Sequence, residues 1–452
     1  MKILKRSLIV LSGIGLVLII RYVIQTLPIV TGYAAKVGCS CVFVGERSRE
    51  DVLANELAHF PQSLGDIQIS WNDSTVTGSV GGFFERQALF REGLGCTLVA
   101  GMTEDEIKKQ QVPAPPPLPY DPDTLPWPAG NRVDLEKLQA SEYHAVRRAV
   151  DLSFEEKDPS KPVNTRAVLV VHKGHIVAEK YAEGFSAVKP QLGWSMTKSL
   201  TNALIGILVK EGQLTTSDTE LFPEWSNEED PRARITLDDL LKMSSGLKWL
   251  ESYYTLSPVT EMIYTQADMG TFASSFSLEY TPGEHWEYSS GTTNILSRKM
   301  RDLLGEAYHT FPYEALFHKI GMTNTLIEVD ASGGFVASSY GWGTPRDWAR
   351  FGLLYLHDGV WEGERILPEG WVSYSSAPIP QAPKGNYAAQ FWHIPTAKPH
   401  IIPLDTYFAQ GFEGQRVIII PSKSLVIVRL GQTHFGNFDW ESFISQVLRG
   451  LN

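Results

Sequence analysis

Gly193-Trp194-Ser195-Met196-Thr197-Lys198-Ser199-Leu200 is the stretch on which the reading of this chain turns. From Ser195 onward the apolar positions Met196, Leu200, Ala203, Leu204, Ile207 and Leu208 recur at steps of three and four. That is the spacing of one buried helix face, and Gly212 closes it as a C-terminal cap. The pattern predicts a helix that begins on the serine, with Lys198 on the same face of its first turn. At that end the unpaired N–H groups and the positive dipole favour an alkoxide and oppose an ammonium. A lysine desolvated there has a lowered pKa, and its neutral amine can take the serine proton.

Ser-x-x-Lys alone is a weak signal, and the chain carries two internal controls. In Ser186-Ala187-Val188-Lys189 the following Pro190 pushes the lysine out of helical geometry. Ser245-Gly246-Leu247-Lys248 follows a helix that starts at the Thr236–Asp239 box, so Ser245 meets the negative end of a dipole and Gly246 reads as the cap. Ser195 is therefore the candidate nucleophile.

At 452 residues the chain accommodates one large domain and an appendage. A net charge of −11, without a basic stripe interleaved with aromatics, argues against nucleic acid as a partner. Lys2, Lys5 and Arg6 precede the apolar run Ser7–Ile20, and apolar character resumes after Arg21 to about Val30. Residues 1–35 are expected to be an uncleaved signal anchor, with the basic end in the cytoplasm and the catalytic domain exported. A cleaved signal peptide and a buried core helix are the alternatives. Gly38-Cys39 resembles a lipoprotein acceptor only loosely, because Lys36 stands where an apolar residue belongs.

Three cysteines, Cys39, Cys41 and Cys96, match no zinc spacing. In an exported chain Cys39 or Cys41 can pair with Cys96, and buried free thiols are the other reading. The histidines show no metal-ligand spacing either, so no metal and no cofactor are expected.

Ser48 to His59 reads as a short helix. Short alternating runs at Ile67–Trp71, Thr75–Val80 and Cys96–Val99 give residues 36–112 a small β-rich character. The proline-dense stretch 113–134 is either a stiff linker or an arm laid over the next domain. Residues 135–452 form the main domain. A helix is expected over Leu135–Phe154, hairpins at Ala167–Tyr181 and Arg416–Leu430, and a last helix over Asp439–Leu448. Hairpins at both ends with helices between them predict an α/β (α+β type) fold: an antiparallel sheet flanked by helices, with an inserted helical lobe.

A serine and a lysine need a third group for the leaving-group proton. Tyr280-Thr281-Pro282-Gly283 turns into a polar loop that presents Tyr288, with Ser290 two residues on. A tyrosine hydroxyl beside a cationic lysine is expected to have a lowered pKa and to shuttle a proton. Glu284 and His285 read as surface loop residues, and Trp194 either walls the cleft or packs.

Ser195-Met-Thr-Lys198 opening a helix, Arg234 to Leu247, Tyr280-Thr-Pro-Gly283 leading to Tyr288-Ser-Ser290, and Gly343 to Leu354 followed by Gly359–Gly363 resemble the serine β-lactamase-related superfamily. The nearest branches are class C β-lactamases, family VIII esterases and 6-aminohexanoate-dimer hydrolases. The resemblance covers about residues 135–452. It implies Ser195, Lys198 and Tyr288 as catalytic residues of an ester or amide hydrolase working through an acyl-enzyme. The third motif departs from the family: Thr406 to Gln415 contains no Lys-Thr-Gly. The cation that meets a β-lactam carboxylate is thus missing, which disfavours antibiotic hydrolysis. The strand still offers a backbone N–H near Ala409 which, with that of Ser195, would form an oxyanion hole. Ser290 and Gly411 complete the expected substrate-binding set, Gly411 and Gly414 being also readable as turn formers. The expected substrate is a small ester or amide or a short peptide. A D-amino-acid peptidase of penicillin-binding type and a sensor without turnover are the rivals.

Overall fold

The two sequence hairpins meet in one antiparallel sheet. The computed structural model describes residues 2–227, 229–253, 255–394 and 401–451. From edge to edge its six-stranded sheet runs Trp392–His393, Tyr407–Gly411, Gln415–Ile420, Leu425–Gly431, Thr165–His172 and His175–Tyr181. Val428 lies opposite Leu169 and Val426 opposite Val171, so the C-terminal hairpin closes directly on the N-terminal one. Leu169, Val171, Val417 and Val426 face the main core. Val168, Val170, Ile418 and Ile427 face a second layer with Val146, Val150, Phe443 and Val447 from the helices His144–Leu152 and Trp440–Arg449. Both faces are covered, which is why these strands read as continuous apolar runs and do not alternate.

Between the hairpins the chain is largely helical, including Thr197–Lys210, Pro258–Thr265, Ser290–Leu304 and Pro345–Leu356. Several expected helices are shorter. Leu135–Phe154 divides into Leu135–Gln139, a 3-10 turn and His144–Leu152, and Ser48–His59 contracts to Arg49–Ala54 capped by Ser48. The strand Phe83–Arg91 is an addition to those read from sequence. Its charged residues, Glu85, Arg86 and Arg91, hide the alternation that identifies its neighbours.

The proline-dense stretch is an arm laid on the main domain. The Tyr120 hydroxyl donates to the His318 carbonyl at 3.0 Å, and the Trp127 indole N–H to the Gly174 carbonyl at 2.9 Å. The Arg350 guanidinium sits 4.8 Å over the Trp127 ring and donates to the Pro128 carbonyl.

The N-terminal helix spans Lys2–Cys39, and its C-terminal third is built into the body. Val30, Thr31, Ala34, Ala35, Val37 and Cys39 are buried there, so a boundary at residue 35 falls inside a packed segment. The four-stranded meander Gly65–Leu98 wraps this part. A Cβ on Gly78 would lie 2.4 Å from the Thr31 carbonyl oxygen, so only glycine admits the helix so close. The disulfide joins Cys39 to Cys96, and Cys41 is a buried free thiol.

Lys36 finds its reason here. Its ammonium pairs with the fully buried Glu328 at 2.5 Å, and Glu328 also accepts from Ser40 Oγ and from the Cys96 N–H at 2.7 Å. Removing one partner of such a pair leaves a buried charge uncompensated. Glu328→Ala is expected to destabilise the protein by about 3–5 kcal/mol in chemical denaturation, while Glu328→Gln, which keeps the hydrogen-bond acceptor, costs less.

Candidate active site

The turn that carries Ser195 is locked by close backbone contacts. Gly193 N–H donates to the Gly341 carbonyl at 2.8 Å, and a Cβ on Gly193 would sit 2.3 Å from Trp348. Trp194 adopts φ +48°, a left-handed conformation that a bulky residue holds only where its surroundings impose it. Thr197 Oγ1 donates to the Trp194 carbonyl at 2.6 Å and accepts from the Gly341 N–H at 2.8 Å. Ser195 therefore lies on a tight turn, and the helix proper begins at Thr197, two residues later than the apolar spacing indicates. The turn still satisfies Lys198 N–H with the Ser195 carbonyl at 3.1 Å, so the two side chains share it. The helix is buried on every side from Thr197 to Leu208, where the sequence pattern marks one face. Asn202 makes this possible, its carbonyl oxygen accepting from Tyr355, Trp371 and Ser375.

Lys198 has three partners: Ser195 Oγ at 3.1 Å, Ser290 Oγ at 3.0 Å and the Ser338 carbonyl at 2.9 Å. A neutral amine has two N–H donors and one lone pair. The Ser338 carbonyl can only accept, and Ser290 donates its own proton to Glu251, so it too accepts from the lysine. The lone pair is left for the Ser195 hydroxyl. Burial pulls the Lys198 pKa down to about 8, against the opposing pull of Glu251.

Glu251 is the residue that sequence reasoning missed. Its carboxylate accepts from the Trp249 indole at 2.7 Å, the Tyr253 hydroxyl at 2.8 Å and the Ser290 N–H at 2.9 Å. It lies in an irregular loop with no motif around it, and only the fold brings it to Ser290. Because its charge favours the ammonium form of Lys198, Glu251→Gln is expected to move the acid limb of the kcat/KM–pH profile to lower pH. An unmoved or raised limb contradicts the assigned electrostatics.

Tyr288 comes to the same place. Its hydroxyl is hydrogen-bonded to Ser195, and its ring centroid lies 4.9 Å from the Lys198 ammonium. Its pKa, however, is raised and not lowered, because burial and the Glu251 carboxylate outweigh the Ser195 hydrogen bond. A protonated phenol is thus the form present near neutrality. The ring is held by Tyr387 and Trp392 at 5.8 and 5.4 Å.

Ser195, Tyr288 and Gly411 line a cavity of about 220 Å³, together with Trp194, Tyr253 and Trp392. Ser290 lies behind it, fully buried. Ala409 is also fully buried and is absent from the lining. The part of its strand that reaches the cleft is Gln410, Gly411 and Phe412, whereas Ala409 belongs to the main core. Trp194 walls the cleft, whereas His285 stacks on Tyr280 outside it. Ser245 sits beyond the end of the helix Leu237–Leu241, with Gly246 at φ +74°. Among the described residues no cluster suited to a metal is present.

A serine on a turn, a buried lysine against it and a cleft over both are the parts that acyl-transfer chemistry requires. The Beta-lactamase family model matches residues 157–443, and the chain belongs to that family of serine hydrolases. The chain is similar to the 6-aminohexanoate-dimer hydrolase of Paenarthrobacter ureafaciens, 26% identical over 299 residues that cover 59% of this chain and 72% of the relative. Two solved structures share the fold. EstCE1, a hydrolase with promiscuous acyltransferase activity, is 14% identical with a TM-score of 0.56, covering 69% of this chain and 98% of its own. A family VIII carboxylesterase is 15% identical with a TM-score of 0.51, covering 69% and 97%.

Proposed function

We propose that this protein is an exported, membrane-tethered hydrolase that cleaves an ester or amide bond through an acyl-enzyme on Ser195. The observation that carries the reading is the 3.1 Å contact between Lys198 Nζ and Ser195 Oγ, with the other two contacts of the amine made to Ser290 Oγ and the Ser338 carbonyl. Lys198 takes the proton as Ser195 Oγ attacks the carbonyl carbon. The developing oxyanion rests on the Ser195 N–H and on the backbone at Gly411–Phe412. Tyr288, kept protonated, passes a proton to the leaving group and recovers one from Lys198. Water repeats the sequence in reverse and frees the acid. Glu251 and Ser290 position the lysine.

Substrates of the 6-aminohexanoate-dimer and carboxylester type fit this scheme better than β-lactams, since the described cleft lining carries no cation for their carboxylate. Export is supported by the Cys39–Cys96 disulfide, which persists in oxidising compartments. Tethering is supported by the basic residues and apolar run at the N-terminus.

The test is covalent trapping. A fluorophosphonate is expected to form one stoichiometric adduct, mapped by mass spectrometry to the peptide bearing Ser195. An adduct at another serine, or none, overturns the reading.

A further inference from the structure

The wall of the cleft contains residues of the N-terminal helix. Ile29, Val30 and Tyr33 line the cavity together with Pro61 and Gln62. A helix that only tethered the enzyme would have no reason to enter its active site. Starting five residues before Ile29, about 7.5 Å of helix rise, the same helix exposes Ile24 and then, further back, Val23, Ile20 and Val17, between 41% and 64% accessible. That distance is comparable to a headgroup layer.

Other apolar groups collect at the same level. Gly65 abuts Ala34 and Val30 of the helix, and it pairs with Val80, which in turn pairs with Phe83. The Gly81-Gly82 turn and the segment Phe60–Leu64 therefore flank the helix near residue 30. Phe83 is 71% exposed there, and Phe60 and Leu64 are exposed as well. Exposed rings and aliphatic chains around a helix exit are the arrangement of a surface seated in the interfacial zone of a bilayer.

The lining itself carries no charged side chain among the described residues and is dominated by Ile, Val, Tyr, Trp and Phe. We propose that the cleft opens onto the bilayer and takes an uncharged lipid ester from it, the acyl chain lying along Ile29 and Val30. The inference rests on the hydrolase and tether reading above and names its substrate class. Ser195 Oγ bonds to the acyl carbon as the ester C–O bond breaks, and the serine proton leaves on the alcohol. Water then gives its hydroxyl to the acyl carbon and its proton to Ser195, releasing a fatty acid.

The test uses the full chain in phosphatidylcholine nanodiscs, with fluorophosphonate labelling run in parallel. Across nitrophenyl acetate, butyrate, hexanoate and octanoate, kcat/KM is expected to rise about twofold to fourfold per methylene, the upper value being that of a fully buried methylene. A nitrophenyl half-ester of glutaric acid is expected to be at least tenfold poorer than the valerate, and 1-monooleoylglycerol in the disc is expected to be hydrolysed. Ile29→Asp is expected to lower the octanoate-to-acetate ratio at least tenfold. A labelled enzyme with a flat or falling chain-length series and inert monooleoylglycerol overturns the inference and spares the hydrolase reading. So does a preference for 6-aminohexanoate dimers or D-amino-acid peptides. Failure both to label and to hydrolyse any ester removes the hydrolase reading, and the inference with it.

Discussion

Lys198→Met is expected to lower kcat/KM for a nitrophenyl ester by about 10³-fold, within the range of a lost general base. Methionine fills the lysine volume without its donors, so the loss reports proton transfer more than packing. Lys198→Arg separates base from charge. A guanidinium stays protonated and has no lone pair to offer Ser195, so it is expected to be as inactive as methionine. Retention of more than a tenth of the wild-type rate by the arginine variant would mean that the position supplies positive charge and not basicity. The same logic fixes the wild-type pH profile. With Lys198 as the proposed base only its neutral form is competent, so activity is expected to rise with pH through about 8, the pKa that burial imposes. The linkage to stability follows in sign. A base whose folded pKa lies below its unfolded value stabilises the fold at high pH and loses that stability as pH falls from about 10.5 to 8. A difference of this size is of order 3 kcal/mol, and near neutrality the protein carries it as the counterpart of a reactive amine.

Much of this arrangement is legible in the sequence, because it rests on local signals. Ser195 and Lys198 share one turn, Pro282-Gly283 marks the loop that delivers Tyr288, and uninterrupted Val and Ile runs announce strands covered on both faces. The residues that escape are those whose role exists only across the fold. Glu251 is 39 positions from Ser290, the residue it fixes, and nothing near it in the chain signals a half-buried carboxylate. Burial, with this unseen charge as the second cause, also reverses the expected direction at Tyr288. The N-terminal helix misleads in another way, since one apolar segment serves two environments. Periodicity does not distinguish the exposed residues from those under the meander, whereas Lys36, out of place in an anchor, is matched by Glu328 far along the chain.

Gly411→Val is expected to lower kcat by about 10²- to 10³-fold, the loss associated with an oxyanion donor. The reason is not backbone freedom, because Gly411 has φ −118°, open to any residue. Gly414, at φ +80°, is the position that shapes the turn. What Gly411 provides is absence of volume. A Cβ there would lie 2.1 Å from the Gly193 carbonyl oxygen and 3.1 Å from Gln415 Cβ. The first neighbour is backbone, held by the hydrogen bond from Gly193 to Gly341 and by Trp348 against Gly193, so it has nowhere to yield. The strand end must instead move away from the Ser195 turn, and with it the Gly411–Phe412 backbone opposite the nucleophile. Ser195, Lys198 and Glu251 stay on their own elements, so fluorophosphonate labelling slows while the lysine-dependent pH limb keeps its position. A variant within fivefold of wild type in kcat, or one whose pH limb moves, would place the oxyanion donors elsewhere than at this meeting of strand and turn.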